Sequence, residues 1–235
     1  MAGKGSRLQP LAFSKELYPV VNNGKHFAIS EFSIKALERA DVDEIKLVIS
    51  PDKVDIAKFY SQYSSPLSMY FYDSPSLPES CLHPLSSVED DDICLFGLPD
   101  TLFYPPTGFK SVKAELAAGA DVALGLFKVK DASKYDSVDF NEEGVVKDVV
   151  VKRDPPLSEW VWGIWGAKGN ALRKLKGEIS KQKNSDEKLL GNGFRELLKY
   201  PDLKISAVKI GEDYFDIGTI DAIVKLNEVI DNFEF

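Results

Sequence analysis

Apolar positions change their period repeatedly along this chain, and the changes mark out elements. Residues 27 to 40 carry apolar side chains at 27, 29, 32, 36, 37 and 40, a spacing that predicts an amphipathic helix. Ile45 to Ile49 reads as a short buried strand, and Asp52 as the cap of a helix through Ala57 and Tyr60. Leu67 to Tyr72 and Ile93 to Leu98 are further strands, separated by a helix that runs into the acidic stretch Glu89 to Asp92. Phe109 to Ala118 reads as a helix and Asp121 to Phe127 as a strand. Strands alternating with helices at this spacing predict an α/β fold, with a Rossmann-like, mostly parallel sheet and helices on both faces.

From Ser137 the rhythm changes. Val138 to Val151 reads as two strands about a turn containing Gly144, a hairpin signal. Trp160 to Trp165 is a strand, Ala167 to Lys176 and Asp186 to Tyr200 are helices, Lys204 to Val208 is a strand, and Thr219 to Asn232 is a last helix. This second part reads as a β-rich insertion. The expected organisation is a single domain over 1–235, with an α/β half over about 1–130 and a β-rich part over about 131–235.

Composition narrows the function. The chain has 235 residues, 44% of them hydrophobic and 28% charged, as in ordinary soluble domains. The net charge of −8 argues against a nucleic-acid polymer as partner. No apolar window is long enough for a membrane span, and the basic N-terminus lacks the apolar core of a secretory signal. Cys81 and Cys94 are expected to stay reduced, which with the missing signal predicts a cytoplasmic protein. His26 and His83 sit in no nucleophile-elbow context, and no Cys or His pair has zinc-ligand spacing.

Against the acidic whole, Met1 to Lys25 holds Lys4, Arg7, Lys15 and Lys25 against one acid, Glu16. Gly3 and Gly5 permit a tight turn whose backbone N–H groups make a concave anion site. Lys4, Ser6, Arg7 and Lys15 surround it, so a polyphosphate is the expected guest. The loop is neither a dinucleotide fingerprint, since Leu8 stands where a third glycine belongs, nor a Walker A loop. Two aspartates stand where α/β sheets place chemistry: Asp100, just after the strand 93–98, and Asp216, before the last helix. Two carboxylates converging on a polyphosphate suit Mg²⁺.

The stretch Gly3-Lys4-Gly5-Ser6-Arg7-Leu8-Gln9-Pro10-Leu11, continued by Lys15 and Pro19-Val20, resembles the signature of the sugar-1-phosphate nucleotidyltransferases. Leu98-Pro99-Asp100 is similar to that family's metal-binding motif, and Asp216-Ile217-Gly218-Thr219 to the motif carrying its second metal ligand. Lys152 occupies the place of the family lysine that contacts the acceptor phosphate. Trp162-Gly163 lies in the strand that lines the sugar pocket. The resemblance spans residues 2 to about 227. It implies Mg²⁺-dependent joining of a nucleoside triphosphate and a sugar 1-phosphate, with loss of pyrophosphate. Arg7 would face the leaving pyrophosphate, Lys15 the reacting phosphates, Lys152 the acceptor phosphate, and Asp100 and Asp216 the metal. A homo-oligomer is compatible with this reading.

Several positions depart from the family. Ala12 replaces Thr and Ser14 replaces Pro. Asp73 stands where a base-reading Gln is expected, Asp136 in place of a glycine, Val151 in place of a glutamate and Arg153 in place of a proline. The strand that runs into the glycine loop in the family is missing ahead of Met1, which predicts a truncated or misplaced start. These departures keep two alternatives open: a nucleotidyltransferase-like binding or regulatory domain without turnover, and transfer to a non-sugar phosphate such as phosphocholine.

Overall fold

The computed structural model describes residue 1 and residues 11–183, 187–218 and 220–232. Its elements in chain order are β1 (Pro19–Asn22), β2 (Lys25–Ala28), α1 (Ile29–Glu38), β3 (Ile45–Ile49), α2 (Val54–Tyr60), β4 (Leu67–Phe71), α3 (Leu77–Leu82), β5 (Ile93–Phe96), β6 (Thr101–Tyr104), α4 (Gly108–Ala117) and β7 (Val122–Lys128). They continue as β8 (Ser137–Phe140), β9 (Val146–Val150), β10 (Trp160–Lys168), α5 (Gly169–Lys181), α6 (Leu190–Leu197), β11 (Ile205–Gly211), β12 (Asp213–Asp216) and α7 (Ile220–Val229).

The scaffold is a six-stranded mixed sheet ordered β11-β7-β10-β8-β9, with β5 also paired to β10. β7 shows why it forms. Val122, Leu124 and Leu126 point to one face and pack with Leu172, Leu175, Ile179 and Phe194 of α5 and α6. Ala123 and Phe127 point to the other and meet Phe109, Val112 and Leu116 of α4. A strand that is apolar on both sides needs cover on both sides. The α/β architecture expected from sequence is therefore present, with parallel pairing in β3–β4 and β11–β7 and antiparallel pairing where β10 enters.

Two boundaries differ. Phe27 and Ala28 belong to β2 rather than to a helix, because Asn23 and Gly24 at φ of 48° and 73° close a hairpin onto β1. The helix expected from Asp186 onward begins at Leu190 among the described residues. The pair β12–β6, with Asp216 opposite Thr101, lies outside the main sheet and is covered by α7 through Leu102, Ile217 and Leu226.

β3 and β4 form a separate two-stranded sheet. Among the described residues β3 pairs with β4 and β5 with β10, and the Met1 ammonium donates to the Val48 carbonyl at 2.8 Å. The acid run Glu89 to Asp92 is exposed, and Asp90 pairs with Arg173 at 3.0 Å. Both cysteines are free, with burial raising Cys81 to about 12 and Cys94 to about 11. No helix among the described residues is long and apolar enough to cross a membrane.

Candidate active site

The site is assembled where β6 and β12 meet the segment that follows the glycine-rich loop. Gly3, Lys4, Gly5, Ser6 and Arg7 lie outside the described residues. The described part begins at Leu11 and makes a single 3₁₀ turn over Lys15–Leu17. Three polar ties hold this turn.

Ser14 donates from its backbone N–H and from its hydroxyl to the two Asp55 oxygens, each at 2.7 Å. Proline could not make the first of these bonds, so the departure at Ser14 has a structural partner in Asp55. Burial alone would raise Asp55, but the two Ser14 donors outweigh it and hold the carboxyl below its usual range. Glu16, with 1% of its side chain exposed, pairs with Lys53 at 2.6 Å. Its second oxygen, Oε2, meets no donor among the described residues. The third tie is functional: the Lys15 ammonium rests on the Asp100 carboxylate.

Asp100 sits in the turn between β5 and β6, and its carbonyl accepts the Ile217 N–H at 2.8 Å. That bond, continuing the β6–β12 ladder, fixes Asp216 next to Asp100. Their charges act together on half-buried Tyr214, whose hydroxyl titrates above its usual range through burial first and these carboxylates second. Tyr135 is raised for the same reasons, burial and then Asp216. A groove of about 390 Å³ runs beside this centre, lined by residues 11–15 and 52–55.

These two carboxylates are hard oxygen donors on paired segments, Asp100 just ahead of β6 and Asp216 at the end of β12, and a cation, the Lys15 ammonium, already occupies one of them. The donor set fits a magnesium-type ion. The structure thus brings together Lys15, Asp100 and Asp216.

A second cluster lies toward the β-rich side. Asp136 immediately precedes β8 and is half-buried. Burial raises its carboxyl, opposed by the Lys152 ammonium, by the Trp162 indole and by the Lys152 backbone N–H. The indole Nε1 is close enough to favour the charged carboxylate but closes no hydrogen bond of good geometry among the described residues. Lys152, at φ of 33°, is exposed at the end of β9. Gly163 forms a bulge in β10, where a Cβ would stand 2.2 Å from the Tyr214 ring. Asp73 is exposed after β4 and joins neither cluster.

Sequence reasoning missed Ser14 with Asp55, Lys53 with Glu16, and the two tyrosines. Tyr214 had one usable signal, since it lies two residues before Asp216 and alternation turns both to one face.

The Nucleotidyl transferase family model matches residues 1–232. A curated glucose-1-phosphate thymidylyltransferase from Neisseria meningitidis is 24% identical over 234 residues, covering 94% of this chain and 77% of its own. A solved structure described as that of a glucose-1-phosphate thymidylyltransferase from Bacillus anthracis, in complex with sucrose, superposes with a TM-score of 0.83 at 17% identity, covering 99% of this chain and 94% of its own. A UDP-glucose pyrophosphorylase complexed with UDP-glucose superposes with a TM-score of 0.82 at 17% identity, covering 97% and 95%. The signature, the β6–β12 pair that brings Asp100 beside Asp216 and the match over nearly the whole length converge: this chain belongs to the nucleotidyl transferase family and is a nucleotidyltransferase of the sugar-1-phosphate type.

Proposed function

We propose that this protein condenses a nucleoside triphosphate with a sugar 1-phosphate, giving a nucleotide sugar and pyrophosphate in a Mg²⁺-dependent reaction. The observation that carries the reading is the meeting of Lys15, Asp100 and Asp216. In this reading residues of about 1–130 take the nucleotide and those of about 131–235 take the acceptor.

The acceptor phosphate oxygen attacks the α-phosphorus in line, and the bond to the pyrophosphate oxygen breaks. No covalent nucleophile is required, because positioning and charge stabilisation suffice for such a transfer. Lys15 leaves the Asp100 carboxylate to meet the reacting phosphates, which offer its ammonium more negative charge than one carboxylate does. Asp100 and Asp216 would then hold Mg²⁺, which supplies charge neutralisation at the phosphoryl oxygens. The resemblance assigns the leaving pyrophosphate to Arg7 and the triphosphate cradle to residues 3–6. Lys152 takes the acceptor phosphate, with Trp162 and Gly163 as one wall of its pocket. Asp73, exposed after β4, would accept from a base edge. Two free cysteines suit a reducing compartment such as the cytoplasm.

The test is pyrophosphate release measured across the common nucleoside triphosphates and a panel of sugar 1-phosphates, with and without Mg²⁺. Release that requires one triphosphate, one acceptor and the metal supports the reading. Triphosphate hydrolysis that is indifferent to acceptor, or release unaffected by chelation, contradicts it.

A further inference from the structure

A second cavity, of about 230 Å³, opens between the end of β4, α3 and α5, and it shares no residue with the groove beside Lys15. Leu82 of α3 and Ile179 of α5, both buried, form its apolar wall. Tyr72 and His83 also line it, stacked with ring centroids 4.0 Å apart and planes at 14°, which fixes the imidazole in place. Lys176 of α5 and Lys188, just ahead of α6, bring two ammonium groups to the same space.

The polar groups around this cavity are unevenly engaged. Glu79 is the one acid that lines it, and both of its oxygens are taken. Oε1 accepts from Lys188 at 2.8 Å and Oε2 from the Ser76 hydroxyl at 2.9 Å. The Ser180 hydroxyl donates to the Gly177 carbonyl at 2.7 Å. Lys176 makes no ion pair or hydrogen bond among the described residues, and neither do the His83 ring nitrogens or the Tyr72 hydroxyl. Lys188 uses one of its three N–H donors on Glu79.

Two lysines against one acid leave the cavity positive, with histidine counted neutral, in a chain whose net charge is −8. A concave site with unused donors, surplus positive charge and no free carboxylate matches an anion with several acceptor oxygens. The Lys188–Glu79 pair also joins residues 109 positions apart, tying α3 to the segment ahead of α6. An occupant that shares Lys188 is therefore felt on both sides of the cavity.

We propose that this cavity is a phosphate-binding effector site, separate from the transfer site. It takes inorganic phosphate, or the phosphate of a small monoester, on Lys176, Lys188 and the edge of His83, with any carbon stem against Leu82 and Ile179. It offers no free carboxylate to hold a metal, so its occupant is bound and not transformed. Binding here needs neither Lys15 nor Asp100, and its presence or absence leaves the transfer reading as it stands.

The chain has two histidines, His26 and His83, so the test carries its own control. Inorganic phosphate, glycerol 3-phosphate and chloride, at matched ionic strength and fixed pH, are titrated into the full chain while the two imidazole C–H signals are followed by NMR. The expected result is a saturable shift of the His83 signal with phosphate and none with chloride, while the His26 signal stays still. In Lys176→Met the apparent Kd should weaken about 10-fold, and Lys176→Arg should restore it. Lys176 is exposed, so neither replacement disturbs the core. A His83 signal that does not move, or that moves together with His26, overturns the site, and wild type alone decides this. A shift equally strong in Lys176→Met also overturns it. Tighter binding of glycerol 3-phosphate makes a monoester the ligand, whereas equal or weaker binding makes it free phosphate; both uphold the site.

Discussion

β7 and β4 are both strands of an α/β fold, yet they are held in opposite ways. β7 is buried along almost its whole length, pairs on both edges and is covered by α4 on one face and by α5 and α6 on the other. β4 is half-buried over Leu67 to Tyr70, exposed at Phe71, and pairs with β3 alone among the described residues. The scaffold around β7 is therefore fixed by apolar packing, at about 1.5–3 kcal/mol per fully buried aliphatic side chain. The turn that carries Lys15, beside β3 and α2, is held by the three polar ties at Ser14, Lys15 and Glu16. Net contributions of such ties are small, and their geometry can change when a charged ligand arrives. In the proposed reaction, the turn that would meet a triphosphate is the one whose contacts a triphosphate can rearrange.

Breaking the chemistry without the scaffold gives the largest effect. Asp100→Asn should lower kcat about 10³-fold while the melting temperature stays near that of wild type; rates within threefold of wild type would remove Asp100 from the metal site. Breaking a polar tie comes next. Lys53→Met leaves Glu16 buried without its cation, so urea unfolding should show a loss of about 3 kcal/mol, and an unchanged midpoint would mean that Glu16 is protonated or solvated instead.

On the packed side, Gly163→Ala drives a Cβ into the Tyr214 ring and should cost about 2 kcal/mol. Because Tyr214 and Asp216 share β12, calorimetry should show lower stability and the transfer assay a lower kcat together. A loss of stability alone would separate the two.

The smallest effect is set by pH. The Asp55 carboxyl is depressed in the folded chain, so its stabilisation is present above its ordinary value of 3.8 and is lost as pH falls through the lower folded value. Asp55→Asn should thus melt below wild type at neutral pH, by about 1.5 kcal/mol, with the gap closing below about pH 4. A gap independent of pH would assign the effect to packing.

The packed half was legible in the sequence for the reason that makes it stable. Val122 to Phe127 is an unbroken apolar run with turn residues on either side, and Gly144 sits between two alternating strands, so local pattern and tertiary environment agree. The β1–β2 hairpin was not read from the sequence: Asn23-Gly24 is a turn signal, but the apolar spacing from Phe27 onward competes with it and points to a helix. β6 and β12 were not, because their pairing joins residues more than a hundred positions apart and neither is long enough to show a period. Asp100 and Asp216 could be placed at strand ends from sequence, and Lys15 near phosphate. Their convergence depends on that nonlocal ladder. The ties of Ser14 to Asp55 and Glu16 to Lys53 depend on how the loop folds back over α2, which no local pattern encodes.

Hydrogen–deuterium exchange with and without Mg²⁺ and the preferred nucleoside triphosphate tests the central claim most directly. The account predicts new protection confined to residues 11–18, 50–56, 98–104 and 213–218, with β7 and β10 equally protected in both states. Protection that appears elsewhere while Lys15, Asp100 and Asp216 stay unchanged would contradict a transfer site built from those three residues.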